Sequence, residues 1–262
     1  MTSLLFFGDI YGRSGRDALV QHLPALKATY QPDLIVANAD NAAHGHGLTP
    51  KMVDDLFALG LDVLTGGDHF FDQKEMLAVA NKWPHLLRPM NFPSTVPGFG
   101  HTIIEAKNGK KILVLHAVGR VFLEAMADNP FLAVQNLLAK LQQGRDYDVA
   151  VLDFHAEATS EKMAMGLHFD GRLGAVLGTH THVPTADAQV LPQGTAYMTD
   201  VGMCGPINSV IGADVRACIN RFVHGVGFER RVPSDNVGQV CAVHVRFNNS
   251  GLADSITPIV LR

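Results

Sequence analysis

The chain has 262 residues, 47% of them hydrophobic and 18% charged, with a formal net charge of −4. That composition supplies a sizeable core and excludes a disordered chain, and the mild acidity excludes a general electrostatic attraction to nucleic acid or an anionic membrane. One domain over residues 1–262 is expected, because no linker, low-complexity tract or internal repeat divides the sequence.

In chain order, Leu4 to Gly8, Leu34 to Ala37 and Val63 to Leu64 are continuous apolar runs, the pattern of strands buried on both faces. The first is too short for a signal peptide, and no stretch approaches the ~18 apolar residues a membrane span needs. Between the first two, Leu19, Leu23, Leu26 and Tyr30 form one stripe of a helix over Arg13 to Tyr30, which Pro24 is expected to kink or split. Thr49-Pro50 predicts an N-cap and first helical position ahead of Met52, Val53, Leu56 and Phe57. Strand alternating with helix implies a β-α-β core whose strand C-termini share one edge. Asn108-Gly109 between 102–106 and 111–115 predicts a hairpin. A helix over Pro130 to Leu141 and strands at Val149 to Asp153 and Ala175 to Leu177 follow. A second hairpin, Val240 to Phe247 with Ile256 to Leu261, makes the later sheet look the more antiparallel. The expected class is α/β of mixed α+β character, with two stacked mixed β-sheets flanked by helices.

The chemistry concentrates where these strands end. Gly8-Asp9, Ala39-Asp40-Asn41 and Gly67-Asp68-His69 each close a short apolar run, and Asp153-Phe154-His155 and Gly178-Thr179-His180-Thr181-His182 follow. Hard and borderline ligands at strand ends suit a metal site, and His180 and His182, two apart in an extended segment, place both rings on one side. Each residue also has a structural alternative. Asp9 can cap the helix near Arg13, Asp40-Asn41 can be a turn, Asp68 can cap a helix near Asp72, and His155 can be a core histidine. Five independent accidents in this order are less economical than one site. His44-Gly45-His46 reads as an exposed flexible loop, with a substrate contact left open by its nearness to Asp40.

Several segments resemble the calcineurin-like metallophosphoesterases, and within them the YmdB-like branch of bacterial cyclic-nucleotide phosphodiesterases. They include Gly8-Asp9-Ile10-Tyr11-Gly12, Ala37 to Ala43, Leu87-Arg88-Pro89 with Asn91-Phe92-Pro93, Gly119-Arg120-Val121-Phe122, Asp153 to Lys162, Gly178 to Val183 and Thr199 to Met203. The resemblance covers nearly the whole chain. It implies a four-layer sandwich carrying two metals bridged by Asp40. Asp9, Asp40, Asn41 and His182 would hold one metal, and Asp40, Asp68, His155 and His180 the other, with His69 beside them. Tyr11 stands where broader relatives place a histidine. The branch prefers glutamate where this chain has Asp40 and asparagine where it has Asp68. The shorter arm requires the metals to sit ~1.5 Å closer to the backbone or one of them to be held loosely, and the added charge is expected to strengthen metal retention while weakening Lewis acidity.

The expected reaction is attack of a metal-bridging hydroxide on a small phosphodiester, a 2′,3′-cyclic nucleotide by the resemblance. His69 is expected to be the general acid, its alternative being to orient a ligand. Mixed nitrogen and oxygen ligands without thiolate suit iron or manganese, with zinc also possible. Arg120 is a phosphate anchor or a surface ion pair, His116 is structural or borders the pocket, and the loops Ala43 to Leu48 and Glu124 to Asn129 are expected to choose the substrate. Alternatives are a phosphomonoesterase on nucleotides or phosphoproteins, and a regulatory protein that binds metal or nucleotide without turnover. Cys204, Cys218 and Cys241 lack a short metal spacing, so a cytoplasmic location is expected. A homo-oligomer is compatible with the sequence, and no membrane or general nucleic-acid partner is expected.

Overall fold

A computed structural model describes residues 1–225, 233 and 237–262. The elements run β1 (Thr2–Phe7), β2 (Asp9–Ile10), α1 (Gly12–Tyr30), β3 (Leu34–Asn38), α2 (Pro50–Leu59), β4 (Val63–Thr65), α3 (Met76–Val79) and β5 (Leu86–Leu87). They continue with β6 (His101–Glu105), β7 (Lys111–Val118), α4 (Pro130–Leu138), β8 (Val149–His155), α5 (Thr159–His168) and β9 (Ala175–Thr179). The last are β10 (Gln189–Val190), β11 (Ala196–Met198), β12 (Met203–Pro206), α6 (Val215–His224), β13 (Gly238–Phe247) and β14 (Ala253–Leu261). No helix among the described residues is long and apolar enough to cross a membrane.

Two mixed sheets face each other. The first has the order β2-β12-β13-β1-β3-β4-β5, with β14 paired to β13, and the second β10-β11-β9-β8-β7-β6. Alternation along each strand sorts the side chains into three cores. Leu4 and Phe6 of β1 meet Val114 and Val151 between the sheets, whereas Leu5 and Phe7 pack under Leu19, Leu23 and Val53 of α1 and α2. On the far side Leu115 and Leu152 pack against Val134 of α4 and Met165 of α5. The result is helix, sheet, sheet, helix. In the first sheet β1, β3, β4 and β5 are parallel. In the second, β7, β8, β9 and β11 are parallel. Their C-terminal ends bring the sequence's acids and imidazoles together.

The structure departs from the expected place of the C-terminal hairpin and from one of the two effects expected of Pro24. The C-terminal hairpin joins the first sheet, where β13 lies antiparallel to β1 from Thr2↔Phe247 to Phe7↔Ala242, and the second sheet is antiparallel only at its edge strands β6 and β10. A hairpin signal specifies a local pair and is silent on its third neighbour. The choice was made by Val243, Val245 and Phe247, which enter the core between the sheets. Of the two effects expected of Pro24, the split does not occur, since α1 runs through it. Proline removes the bond to the carbonyl four residues back, here that of Val20, and Val20 is 58% exposed, so water can take the freed carbonyl. The Thr49 cap forms as expected, its hydroxyl accepting from the Met52 N–H at 3.3 Å, and the hairpin around Asn108-Gly109 pairs His101↔Leu115 to Glu105↔Lys111.

Pro24 sits on the exposed face of α1. Relative to alanine, proline inside a helix costs about 3 kcal/mol, and its stiffening of the unfolded chain offsets only about 0.4–1 kcal/mol. Pro24→Ala should therefore stabilise the protein by about 2 kcal/mol in urea denaturation, and an unchanged midpoint would show that this helix absorbs proline without cost.

Candidate metal centre

Asp9 opens β2, Asp40 and Asn41 follow β3, Asp68 follows β4, His155 ends β8, and His180 follows β9. The backbone delivers each carboxylate at close quarters. Gly67 has φ 54, and a Cβ there would strike the Asp40 carboxylate, so only glycine lets the turn into Asp68 pass beside Asp40. His180 and His182 also take left-handed φ values of 104 and 66. Non-glycine residues adopt that conformation at a cost of about 1–3 kcal/mol each, where the surroundings enforce it.

The proposed ligands converge. His155 Nε2 lies 2.9 Å from Asp68 Oδ1, 3.1 Å from His180 Nδ1 and 3.5 Å from Asp40 Oδ2. Its Nδ1 is 2.9 Å from Thr179 Oγ1, whose hydroxyl donates to Asp153 Oδ1 at 2.8 Å. Thr179 therefore accepts from Nδ1–H and turns the Nε2 lone pair toward the acids. His182 repeats this logic. Its Nδ1–H donates to the Ile211 carbonyl at 2.8 Å, so Nε2 faces Asn41 Oδ1 at 3.0 Å, and Asn41 keeps that orientation by donating Nδ2–H to the Gly45 carbonyl. Where one acceptor faces another, a proton or a cation must lie between them.

Two further atoms favour the cation. Asp9 Oδ1 and Asp40 Oδ2 are buried carboxylate oxygens with no hydrogen-bond partner. Burial pushes the carboxyls of both well above their ordinary range, reinforced at Asp9 by Asp200 and at Asp40 by Asp68 and Asp9. Burial also raises Asp68, but the His155 hydrogen bond and the surrounding imidazoles outweigh it and hold that carboxyl below its usual range. His180 is pushed down to about 3 by burial and then by His155, which leaves a neutral ring suited to ligation. Asp9, Asp40 and His155, and likewise Asp68, His155 and His180, each offer ligand atoms within 4.8 Å of one another. The donor set therefore fits divalent cations.

Buried polar groups hold these ligands from beneath. Lys162 and Asp200 form an ion pair of 2.7 Å that is 1% and 0% exposed. Asp200 also accepts from the Thr181 and Gly202 N–H groups, while Asp9 accepts from the His180 N–H, so carboxylates hold His180 and the residue between the two strained histidines. His116 is fully buried, and its Nε2 accepts from the Gly67 N–H at 2.9 Å. Asn38 donates to Asp153 and Thr179. Of these supports the sequence reading picked out only His116, although Lys162 and Asp200 lie in segments that carry the family resemblance.

The structural alternatives resolve individually. Asp9 does not cap α1, whose N-cap is Tyr11, and Asp68 does not cap α3, whose N-cap is Glu75. His69 lies beside the cluster. Its N–H donates to Asp40 Oδ1 at 2.9 Å, and its Nδ1 is 2.8 Å from Asp72 Oδ2. Of the His44-Gly45-His46 loop expected to be exposed, His44 is exposed, Gly45 is buried and His46 is half-buried, packing edge-on against His69 with centroids 4.7 Å apart. Beside the ligands opens a cavity of about 280 Å³ lined by Asn41, His69, Glu157, His180, Thr181, His182 and Ile211. Glu157, unnoticed in the sequence, reaches His180 Nε2 at 3.2 Å. Arg120 is exposed and not among these lining residues; its N–H donates to Glu161.

Two facing mixed sheets, enclosed by helices and joined at an edge of acids and imidazoles, define the metallophosphoesterase fold. A 5′-nucleotidase precursor from Thermus thermophilus shares that fold alone, at 13% identity and a TM-score of 0.59, covering 99% of this chain and 54% of its own. The sequence matches the family described as YmdB-like protein over residues 5–259, and the chain belongs to that family. It is 47% identical over 219 residues to the 2′,3′-cyclic-nucleotide 2′-phosphodiesterase of Bacillus subtilis strain 168, covering 84% of this chain and 81% of the relative. A crystal structure described as a novel phosphatase from Mycoplasma pneumoniae superposes with a TM-score of 0.91 at 37% identity, covering 99% of this chain and 93% of that one.

A carboxyl whose folded pKa is raised stabilises the fold only at low pH, and that contribution is lost as pH rises through the folded value. In chelator-treated protein, Asp40→Asn should therefore raise Tm at pH 7 by several degrees, at about 2–4 °C per kcal/mol. The advantage should shrink as acid protonates Asp40 in the wild type. Equal melting of the two proteins at every pH would show that Asp40 is not an uncompensated charge.

Proposed function

We propose that the protein is a phosphodiesterase that hydrolyses small phosphodiesters, 2′,3′-cyclic nucleotides in particular, at a dinuclear metal centre. The observation that carries this reading is the pair of buried oxygens without a hydrogen bond, Asp9 Oδ1 and Asp40 Oδ2, placed among the rings of His155, His180 and His182 in a fold whose Bacillus relative is named for that activity. Asp9, Asn41 and His182 would hold one ion, Asp68, His155 and His180 the other, and Asp40 would bridge them. Iron or manganese suits these donors, with zinc as a third choice. When bound, the ions supply Lewis acidity toward the phosphate and an acidified water as nucleophile. Residues 1–262 would act as one domain, supported by the pairing of β13 with β1. The three cysteines are unpaired, which supports a cytoplasmic location.

The residues divide the remaining work. Asp72 accepts the Nδ1–H of His69 and leaves Nε2 as the atom able to give a proton to the leaving alkoxide. Asp40, by accepting the His69 N–H, ties the position of that acid to the ligands. Glu157 holds His180 from its outer nitrogen, as carboxylates commonly orient ligand histidines. A phosphomonoesterase is the second reading, favoured by the description of the Mycoplasma relative as a phosphatase.

Metal content and turnover should be measured on one preparation, with a 2′,3′-cyclic nucleotide, bis-p-nitrophenyl phosphate and a nucleoside monophosphate as substrates. About two metals per chain with diester turnover is expected; metal with monoester turnover alone would shift the assignment to the second reading. His69→Ala should leave metal content near normal and lower the rate by about 10²–10⁴-fold on the nucleotide, far less on the activated aryl ester. Equal losses on both would remove His69 from the role of acid.

A further inference from the structure

A second cavity of about 410 Å³ is lined by Arg88, Met90, Gly98, Phe99, Gly100, His101, Ala133, Asn136, Leu137 and Lys140. It shares no lining residue with the cavity beside the metal ligands, and its volume falls in the range of small-molecule sites. It lies where the segment after β5 and the start of β6 meet α4. The Leu87-Arg88-Pro89 segment therefore has a setting that the proposed reaction does not use.

The charges in this cavity are one-sided. Arg88 is 8% exposed, its Nε donates to the Pro97 carbonyl at 3.2 Å, and its Nη1 donates to the Pro89 carbonyl at 2.8 Å. Neither partner carries charge. Among the described residues Arg88 forms no ion pair, and burial alone lowers its pKa with no acidic neighbour opposing. A guanidinium remains charged under these conditions, and a buried cation without an anion is costly. Its Nη2 has no partner among the described residues and is not a sealed, unsatisfied atom, so it is open to an incoming group. The ammonium of Lys140 and the amide of Asn136 also have no side-chain partners among the described residues. No lining residue is acidic, and Phe99, Met90 and Leu137 supply apolar wall.

We propose that this cavity is a binding site for a small organic oxyanion. A phosphate or carboxylate group would meet Arg88 Nη2 and Lys140, and the body of the ligand would lie against Phe99 and Leu137. A guanidinium edge suits both anions because it offers coplanar donors to two oxygens. The site is independent of the metal centre, so its failure would leave the phosphodiesterase reading untouched.

Calorimetric titration of the full-length chain with inorganic phosphate, adenosine 3′-monophosphate and succinate, each with and without chelator, tests this. Binding of at least one probe that survives chelator and weakens tenfold or more in Lys140→Glu is expected, with Lys51→Glu as a control for net charge leaving it unchanged. Phosphate-bearing probes binding alone would identify the group as phosphate, and succinate binding alone would identify it as carboxylate. Lys140 is exposed, so its replacement keeps the test clear of the carbonyls that Arg88 holds; Arg88→Met, if it folds, should abolish binding. No binding by any probe, binding lost with chelator, or binding indifferent to Lys140→Glu would overturn the site.

Discussion

The molecule is organised around a concentration of negative charge that its own side chains do not neutralise. Asp9, Asp40, Asp153 and Asp200 are all buried to 1% exposure or less within one neighbourhood. Lys162 answers Asp200, and His116, Asn38, Thr65 and Thr179 surround Asp153. Asp9 and Asp40 each retain a buried oxygen with no hydrogen bond, approached only by imidazole nitrogens at 3.5–4.0 Å. Desolvated carboxylates of this kind either protonate or take a cation. The parallel strands, the glycine at position 67 and the left-handed histidines all serve to assemble this arrangement.

The supporting contacts form a hierarchy. Ligand nitrogens face the acids because Thr179 and the Ile211 carbonyl occupy the other nitrogens of His155 and His182. Thr179 is fixed in turn by Asp153 and Asn38. A group two contacts away from the cluster therefore determines which lone pair is presented to it. The same dependence applies to His69, whose backbone is tied to Asp40 and whose ring is tied to Asp72.

Legibility in the sequence followed local physics. The strands β1, β3 and β8 were readable because burial on both faces leaves uninterrupted apolar runs, and the acids and histidines at their ends were readable because the runs stop at them. The course of α1 through Pro24 was not readable, since periodicity cannot say that the Val20 carbonyl would be left to water. The sheet joined by the C-terminal hairpin was equally hidden, because that choice depends on side chains from opposite ends of the chain meeting in one core. At the site the ligand candidates were visible as residue types. Lys162, Asp200 and Thr179 were not, because their work comes from burial and direction, and Glu157 escaped notice although it lies two residues after His155.

The pairing of β1 with β13 also orders events in time. The Gly8 N–H bonds to the Cys241 carbonyl and the Asp9 N–H to the Gly202 carbonyl, so the first acid of the cluster is anchored by residues synthesised long after it. Contacts of such sequence separation form late and slow the search for the native state. While the chain grows from its N-terminus, β1 has a parallel neighbour in β3 but an open edge on the other side, a surface prone to wrong pairing. The geometry that gathers the acids therefore depends on β13, and nascent fragments ending before it hold the acids without the frame that aims them.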